Sequence, residues 1–474
     1  MLLLPVILID LFAVIALCRV AATSGFEAAL PLAAFLMAAA PLESSVPLGL
    51  FELTTQRLVI MILLVLYLTV GSHDREPGPM PMPLKVLICI HIAWCALSTV
   101  NSVVPVMSIK KSFSVIAEYY ILFFIYWRTL TKKETLHKIF FAMVLALIVS
   151  SSFGVFEAYG ADNMLTYFPR SGHHFDNVEM DREVRVQANF DHPILFGAAL
   201  SMAITMDLYL LSVTEHKWKR WLLWLGLFLM FFNIYKTSSR GPWIDVIASC
   251  LILFIFSRGK VRRYLFAIIL LSVAACLIRP GIWATVAGIY DNSFDTNTST
   301  GTSYLYRYAL HHAVREKLLA SPTRAMWGYG LESFYDLQLE GDFLGKPHLF
   351  LSCDSSWAEL MIETGFVGLA IMILILAAPA WRAFRDYRQL PRPYGELSLM
   401  LFANFVTFYF QMYSVGMYSW GQNGYMLWIS IGMTFAYSRC LANEVKSSTV
   451  NDEPAVKEEF VLHEPWPEHE VLPA

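Results

Sequence analysis

Long apolar runs broken by short polar connections recur along nearly the whole chain. A helix needs about 20 residues to cross roughly 30 Å of hydrocarbon. Windows approaching that length lie near 2–18, 26–41, 56–72, 84–103, 113–129, 138–158, 192–213, 220–236, 242–257, 263–279, 357–380, 397–418 and 422–438. They predict an all-α polytopic membrane protein with about 12–13 transmembrane helices. The first run, "MLLLPVILIDLFAVIALC", lacks a basic start and an A-x-A cleavage pattern, so it reads as a retained span and not a removed signal.

Basic residues then set the orientation, because short loops rich in Lys and Arg stay in the cytoplasm. "RTLTKKETLHK", "EHKWKR", "RGKVRR" and "RAFRDYRQLPR" alternate correctly if each lies inside. The opposite, periplasmic side then receives the loops 159–191 and 280–356, the second a large helical loop between the tenth and eleventh spans. The polytopic domain is expected over 1–438. From Asn443 the chain carries eight acidic residues against Lys446 and Lys457, so 439–474 reads as a disordered, acidic cytoplasmic tail.

Composition agrees with this class. The chain is 57% hydrophobic and 15% charged, its net charge is −3, and its mean hydropathy is +0.52, more apolar surface than a soluble domain hides. Of seven cysteines only Cys353 falls outside the apolar runs on the outer side, so neither a disulfide framework nor a CxxC metal site is implied. There is no GxxxxGK[ST] loop and no dinucleotide fingerprint. A nucleic-acid partner is not expected.

Candidate chemistry gathers at the periplasmic face. In "IYKTSSRGPWIDV" the turn holding Thr237, Ser238, Ser239 and Arg240 sits at a span end, and a guanidinium there suits phosphate because its planar fork donates paired hydrogen bonds. Free amides of a helix starting at Gly241 and Pro242 favour an anion as well. The plain alternative is an interfacial arginine reaching toward lipid headgroups. "EMDREVRVQANFDHPILFGAAL" brings Arg182, Arg185, Asp191 and His192 to the same face. "SYLYRYALHHAVREKLL" has helical periodicity that puts Tyr304, Leu305, Tyr308 and His312 on one side of a helix lying on the membrane surface and carrying Arg307. "WGYGLESF" is a glycine-punctuated turn, and Asp354, Ser355 and Ser356 precede the next span as helix-capping residues.

The order "RV…F.HP..G", "SSRG", "WGYGLESF" and "DSSWAELMIETGFVGL" resembles the O-antigen ligase and O-antigen polymerase family of bacterial inner-membrane glycan transferases, over roughly residues 180–375. The resemblance implies a metal-independent enzyme without cofactor, which takes a glycan from an undecaprenyl-diphosphate carrier and transfers it to an acceptor hydroxyl at the periplasmic face of the inner membrane. It implies that Arg185 and Arg240 hold the diphosphate and that Arg307 is a further arginine of the loop helix. One departure stands out: Asp354 occupies the place where the ligase pattern commonly has a histidine. A carboxylate can accept the hydroxyl proton as an imidazole would. His348, six positions upstream, is the rival base, and Asp354 is equally readable as a plain helix N-cap.

Other signals are weaker. His173, His174, Asp176 and Glu179 match no standard zinc spacing. Gln422 and Asn423 are placed to meet sugar hydroxyls or to make a turn, and Trp357 and Trp420 belong to an interfacial belt or stack on a sugar. Glu359 and Glu363, four apart just inside a span, are expected to bond Arg240 or Arg185. His192, Ser239 and Glu363 are thus supporting residues.

The leading expectation is a polymerase that joins repeat units of a surface polysaccharide or exopolysaccharide. The ligase that moves finished polysaccharide to lipid A-core is the alternative, and a transporter of lipid-linked sugars is more distant, since no internal repeat is visible. The expected partners are the lipid-linked glycan, an acceptor glycan or lipid, membrane lipids and other polysaccharide-assembly proteins.

Overall fold

A computed structural model describes residues 3–49, 52–71, 82–169, 185–279, 299–391, 394–418 and 421–450, with isolated positions between 280 and 298. Each of the thirteen apolar windows falls on a helix: α1 Leu3–Ser24, α2 Phe26–Ala39, α3 Thr55–Thr69, α4 Met82–Val100, α5 Pro105–Ser114 running through a π-helical turn into α6 Ile121–Thr129, α7 Lys133–Ala158, α8 Pro193–Val213, α9 Lys217–Lys236, α10 Arg240–Phe256 and α11 Lys260–Ile278, then α14 Ser356–Gln389, α15 Tyr394–Gln411 and α16 Gly421–Val450. Between α11 and α14 the large loop holds α12 Ser299–Leu319 and α13 Pro322–Trp327. Six of these helices are long and apolar enough to cross a membrane by length and composition. The chain is an all-α polytopic membrane protein.

The α8 sequence is apolar nearly all round, which suits a helix covered by lipid or by other helices. Its hydrophobic window is 94% buried, whereas those of α1, α4 and α11 are 17%, 22% and 12% buried, so α8 is central and the other three are peripheral. Gly197 lets α10 approach closely, since a Cβ there would stand 2.6 Å from Pro242. That contact brings the start of α8, at His192, beside the start of α10, at Arg240.

The large loop is docked onto the bundle through glycines. The helix α14 breaks at Gly365 (φ 70°, ψ −177°), a conformation open essentially only to glycine. A kink frees helical carbonyls that must find other donors in an apolar setting. The carbonyls of Ile362 and Glu363 accept the N–H groups of Tyr329 (2.9 Å) and Gly330 (2.9 Å) from the "WGYG" turn. Trp327 stacks on Trp94 of α4 at 4.1 Å, and Ser98 donates to the Trp327 carbonyl. The loop also has its own apolar core, in which Leu310, Val314 and Leu318 of α12 meet Phe334, Leu339, Phe350 and the first turns of α14.

Two features differ from the sequence expectations. An antiparallel hairpin of β3 Glu340–Phe343 and β4 Lys346–Leu349 interrupts the helical loop, because Leu344–Gly345 takes positive φ between short alternating segments. A second small hairpin, β1 Ser45–Pro47 with β2 Glu52–Thr54, precedes α3. The expected tail boundary at 439 falls inside α16, which continues to Val450. Arg439 donates to the Leu130 carbonyl (2.9 Å), and Lys133 pairs with Glu444 at 2.9 Å, so this stretch is tied to the start of α7. Residues 451–474 lie outside the described residues.

Gly365→Ala is expected to lower stability by about 3 kcal/mol or more, because its Cβ would fall 2.2 Å from the Met326 carbonyl oxygen. Gly345→Ala, at φ 75° with nothing within 4 Å, should cost about 1 kcal/mol. Thermal midpoints of the purified variants compare the two; equal losses would show that loop docking does not depend on the Gly365 break.

Candidate active site

The site is built where one helix ends and the next begins. The last carbonyls of α9 have no helical partners and carry the negative end of its dipole. Arg185, buried and leading an extended stretch that lies along this terminus, donates from Nε to the Thr237 carbonyl (3.1 Å) and from Nη2 to Ser239 Oγ (2.7 Å). Val186 N–H donates to the Lys236 carbonyl (3.2 Å). Ser239 is the N-cap of α10, yet its side chain makes no cap bond. Its hydroxyl donates instead to the Thr237 carbonyl (3.0 Å), so no serine oxygen covers the first amides of α10. Those amides and the half-buried Arg240 meet in one place.

Across from them stands the end of α15. A Cβ on Gly241 would lie 2.6 Å from Gln411 Nε2, and that amide nitrogen is buried without a hydrogen-bond partner among the described residues. Next to Gln411, the Ser414 carbonyl accepts from Arg307 Nε (2.9 Å), whose Nη1 also holds the Ser303 carbonyl (3.0 Å). His192 caps α8 by accepting the Ile194 N–H on Nδ1 (3.1 Å). Its titration is pushed down to about 3 by burial, then by the charges of Arg185 and Arg307. Both arginines therefore flank the start of α8. The structure links Arg185 to Ser239 and sets Arg185 and Arg307 near His192, with Arg240 following Ser239 in the chain; Arg182 and the cluster of His173, His174, Asp176 and Glu179 lie outside the described residues.

Of the two base candidates, Asp354 is the one coupled to this group. Its Oδ1 accepts from Ser352 Oγ (2.9 Å), and its charge acts on Arg307, partly offsetting the downward push of burial on that guanidinium. The N-cap of α14 is Ser355, whose Oγ accepts the Ala358 N–H (3.3 Å). The reading of Asp354 as that cap is thereby corrected. His348 sits on β4 in an aromatic nest, 5.8 Å from the Tyr306 ring and 5.2 Å from Phe350.

His311, one turn beyond Arg307 on α12, was overlooked by the sequence reading, which looked to the Tyr304, Tyr308 and His312 side. Its Nε2 hydrogen-bonds Ser355 Oγ (2.9 Å), and its ring stacks on Tyr413 at 4.8 Å and 11°. The i,i+4 spacing of Arg307 and His311 was the available signal. Gln411 had none, because its role depends on where α10 begins in space.

Of the supporting residues Glu363 changes its assignment, and several polar and aromatic residues take structural contacts. Glu363 belongs to a different charged group: it accepts the Glu332 N–H (2.7 Å), Glu332 pairs with Lys111 at 3.0 Å, and Glu359 feels the charges of Lys111 and Glu332. The docked "WGYG" turn places these carboxylates against the loop, not against Arg185 or Arg240. Gln422 is buried and donates to the carbonyls of Ala40 (3.1 Å) and Asn189 (3.0 Å), and Asn423 donates to Leu195 (2.9 Å), so both fasten helix ends. Trp357 donates to the Tyr409 carbonyl (3.0 Å); Trp420 lies outside the described residues.

His311 is pushed down to about 4 by burial and then by Arg315, and His192 to about 3, against an ordinary value near 6.5. Above pH 6.5 both are neutral folded or unfolded. Below it the unfolded chain takes protons that the folded one refuses, so stability falls as pH drops from 6.5 through about 4. Thermal midpoints between pH 7 and 4.5 should show this loss. The double variant His192→Asn, which keeps a capping side chain, and His311→Gln should flatten it; an unchanged slope would assign the loss to other groups.

No curated protein matches the chain. Residues 225–373 match the family model described as O-Antigen ligase, a stretch that runs from within α9 through Arg240, Arg307 and Asp354 into α14. Over that stretch the chain is similar to the O-antigen ligase family, in line with the resemblance of its motifs.

Proposed function

We propose that the protein transfers a glycan from an undecaprenyl-diphosphate carrier to an acceptor hydroxyl at the periplasmic face of the inner membrane, polymerising repeat units of a surface polysaccharide, with its C-terminus in the cytoplasm. The observation that carries this reading is that Arg185 bonds Ser239, the residue before Arg240 at the start of α10, while the charges of Arg185 and Arg307 both act on His192 at the start of α8. A diphosphate leaving group needs its growing negative charge neutralised, and pre-placed guanidinium groups and helix amides do that without reorganisation. The acceptor oxygen bonds to the anomeric carbon as the bond from that carbon to the phosphate oxygen breaks. Its proton passes to the Asp354 carboxylate, and the electron pair leaves with the lipid diphosphate, held by the arginines. The charge on the leaving group is carried by guanidinium groups, so no step is assigned to a metal. An apolar cleft of about 300 Å³ bordered by Phe153, Phe156, Tyr167 and Ala188 lies three residues along the chain from Arg185, and has room for part of a polyisoprenyl tail.

Arg185→Ala and Arg240→Ala should each reduce polymer formation by about 10²–10³-fold at unchanged protein level. Lysine at either position should restore only part, since charge without the fork is insufficient. Wild-type output from both alanine variants would exclude the diphosphate site. Asp354→Asn should be inactive and Asp354→His partly active, with His348→Ala close to native; the reverse pattern would make His348 the base. EDTA should leave activity of the purified protein intact. Deletion should accumulate single lipid-linked repeats, whereas long lipid-linked chains would identify a ligase.

A further inference from the structure

We infer that the Tyr304 and Tyr308 face of α12, with Tyr413 opposite, is the binding site for the sugar rings of the acceptor glycan; this rests on the function proposed above. The helix α12 buries Leu310, Ala313, Val314 and Leu318 in the loop core, and leaves Leu319 exposed at its end. Tyr304 and Tyr308, one turn apart, are each left 56% exposed, so packing does not account for them. Tyr413 lies near both, and near Arg307 and Arg315, closely enough for their charges to act on its hydroxyl. Its ring is held by the parallel stack on His311, and His311 is itself fastened to Ser355. This gives a braced aromatic surface with phenol hydroxyls at its rim.

The surface suits a neutral polyhydroxylated ligand. Flat rings offer a negative face to the C–H edges of a sugar, and the hydroxyls offer hydrogen bonds at the margin. It is the acceptor and not the carrier that belongs here, because the surface adjoins the proposed base. Tyr306, between Tyr304 and Tyr308 in sequence, donates to the Ser352 carbonyl (3.0 Å), and Ser352 Oγ donates to Asp354 Oδ1 (2.9 Å). A sugar resting on these rings would have a hydroxyl next to that carboxylate, while the carrier's diphosphate occupies the arginines on the other side.

The test uses the full-length protein in nanodiscs with two separate probes. One is the free oligosaccharide released by mild acid from the lipid-linked glycan that accumulates in cells lacking this protein; the other is undecaprenyl diphosphate without sugar. The Tyr304→Ala/Tyr308→Ala double variant and Tyr413→Ala should each weaken oligosaccharide binding by about tenfold or more and keep undecaprenyl diphosphate binding within about twofold. Arg240→Ala should do the opposite. In turnover assays the tyrosine variants should raise KM for the acceptor far more than they lower kcat. Unchanged oligosaccharide affinity in these variants, absence of oligosaccharide binding to the native protein, or a loss confined to stability in the bilayer as a membrane-anchoring belt would give, each overturns the inference. Tyrosine-dependent oligosaccharide binding by a protein that ignores undecaprenyl diphosphate would support a glycan site and overturn the transferase reading alone.

Discussion

Everything at this site depends on Arg185 reaching the last carbonyls of α9. A helix C-terminus at a bilayer face is a concentration of partial negative charge with unsatisfied acceptors, and one guanidinium answers both demands by bonding the Thr237 carbonyl and Ser239 Oγ. Once Ser239 is engaged there it no longer caps α10, whose amides open toward the same space as Arg240. The arrangement places positive potential from two side chains and one helix terminus around a common point. Arg185 and Ser239 are buried, so that potential is weakly screened.

The second constraint is the glycine break in α14. A continuous helix would satisfy its own carbonyls and offer the loop nothing to hold. The break hands two carbonyls to the amides of Tyr329 and Gly330, and the stacked Trp94 and Trp327 cover the junction. The loop is thereby joined to the same helix whose first residues follow Asp354. A shift of the loop would move the carboxylate relative to the arginines, so docking and chemistry share one mechanical element. The Lys111, Glu332 and Glu363 group reinforces that junction from below.

Helices were legible because each apolar run is long, and lipid or protein must cover it whichever neighbours it finds. The arginines were legible for a related reason, since a guanidinium at a span end requires a partner of its own. What escaped was contact between distant segments. Glu363 is a helical-face neighbour of Glu359 in sequence, but whether it faces Arg240 or Lys111 is decided by a kink that only the docked turn imposes. Gln422 and Asn423 look like surface polar residues until helix ends 233 and 228 positions away prove to accept their hydrogen bonds. His311 was hidden by the choice of helix face: α12 turns Tyr304 and Tyr308 outward, and turns Arg307 and His311 toward the residues around Ser355 and Ser414.

In the proposed reading, charge recognition and sugar recognition rest on different sets of side chains that meet on α12, where Arg307 stands beside Tyr308 in sequence. Arg185 is held at the end of α9 by two side-chain hydrogen bonds, so a small displacement there would break both at once. The tyrosines sit on a loop helix whose outward face is free of such bonds, and substitutions there need not disturb the bundle. Asp354 lies at the seam between the two. Beside Arg307 the Asp354 carboxylate supplies a compensating charge, whereas burial, and then the charges of Arg185 and Arg307, push His192 toward the neutral form. A carboxylate and an imidazole can each accept a hydroxyl proton, so the proposed chemistry does not depend on which of the two stands at this position.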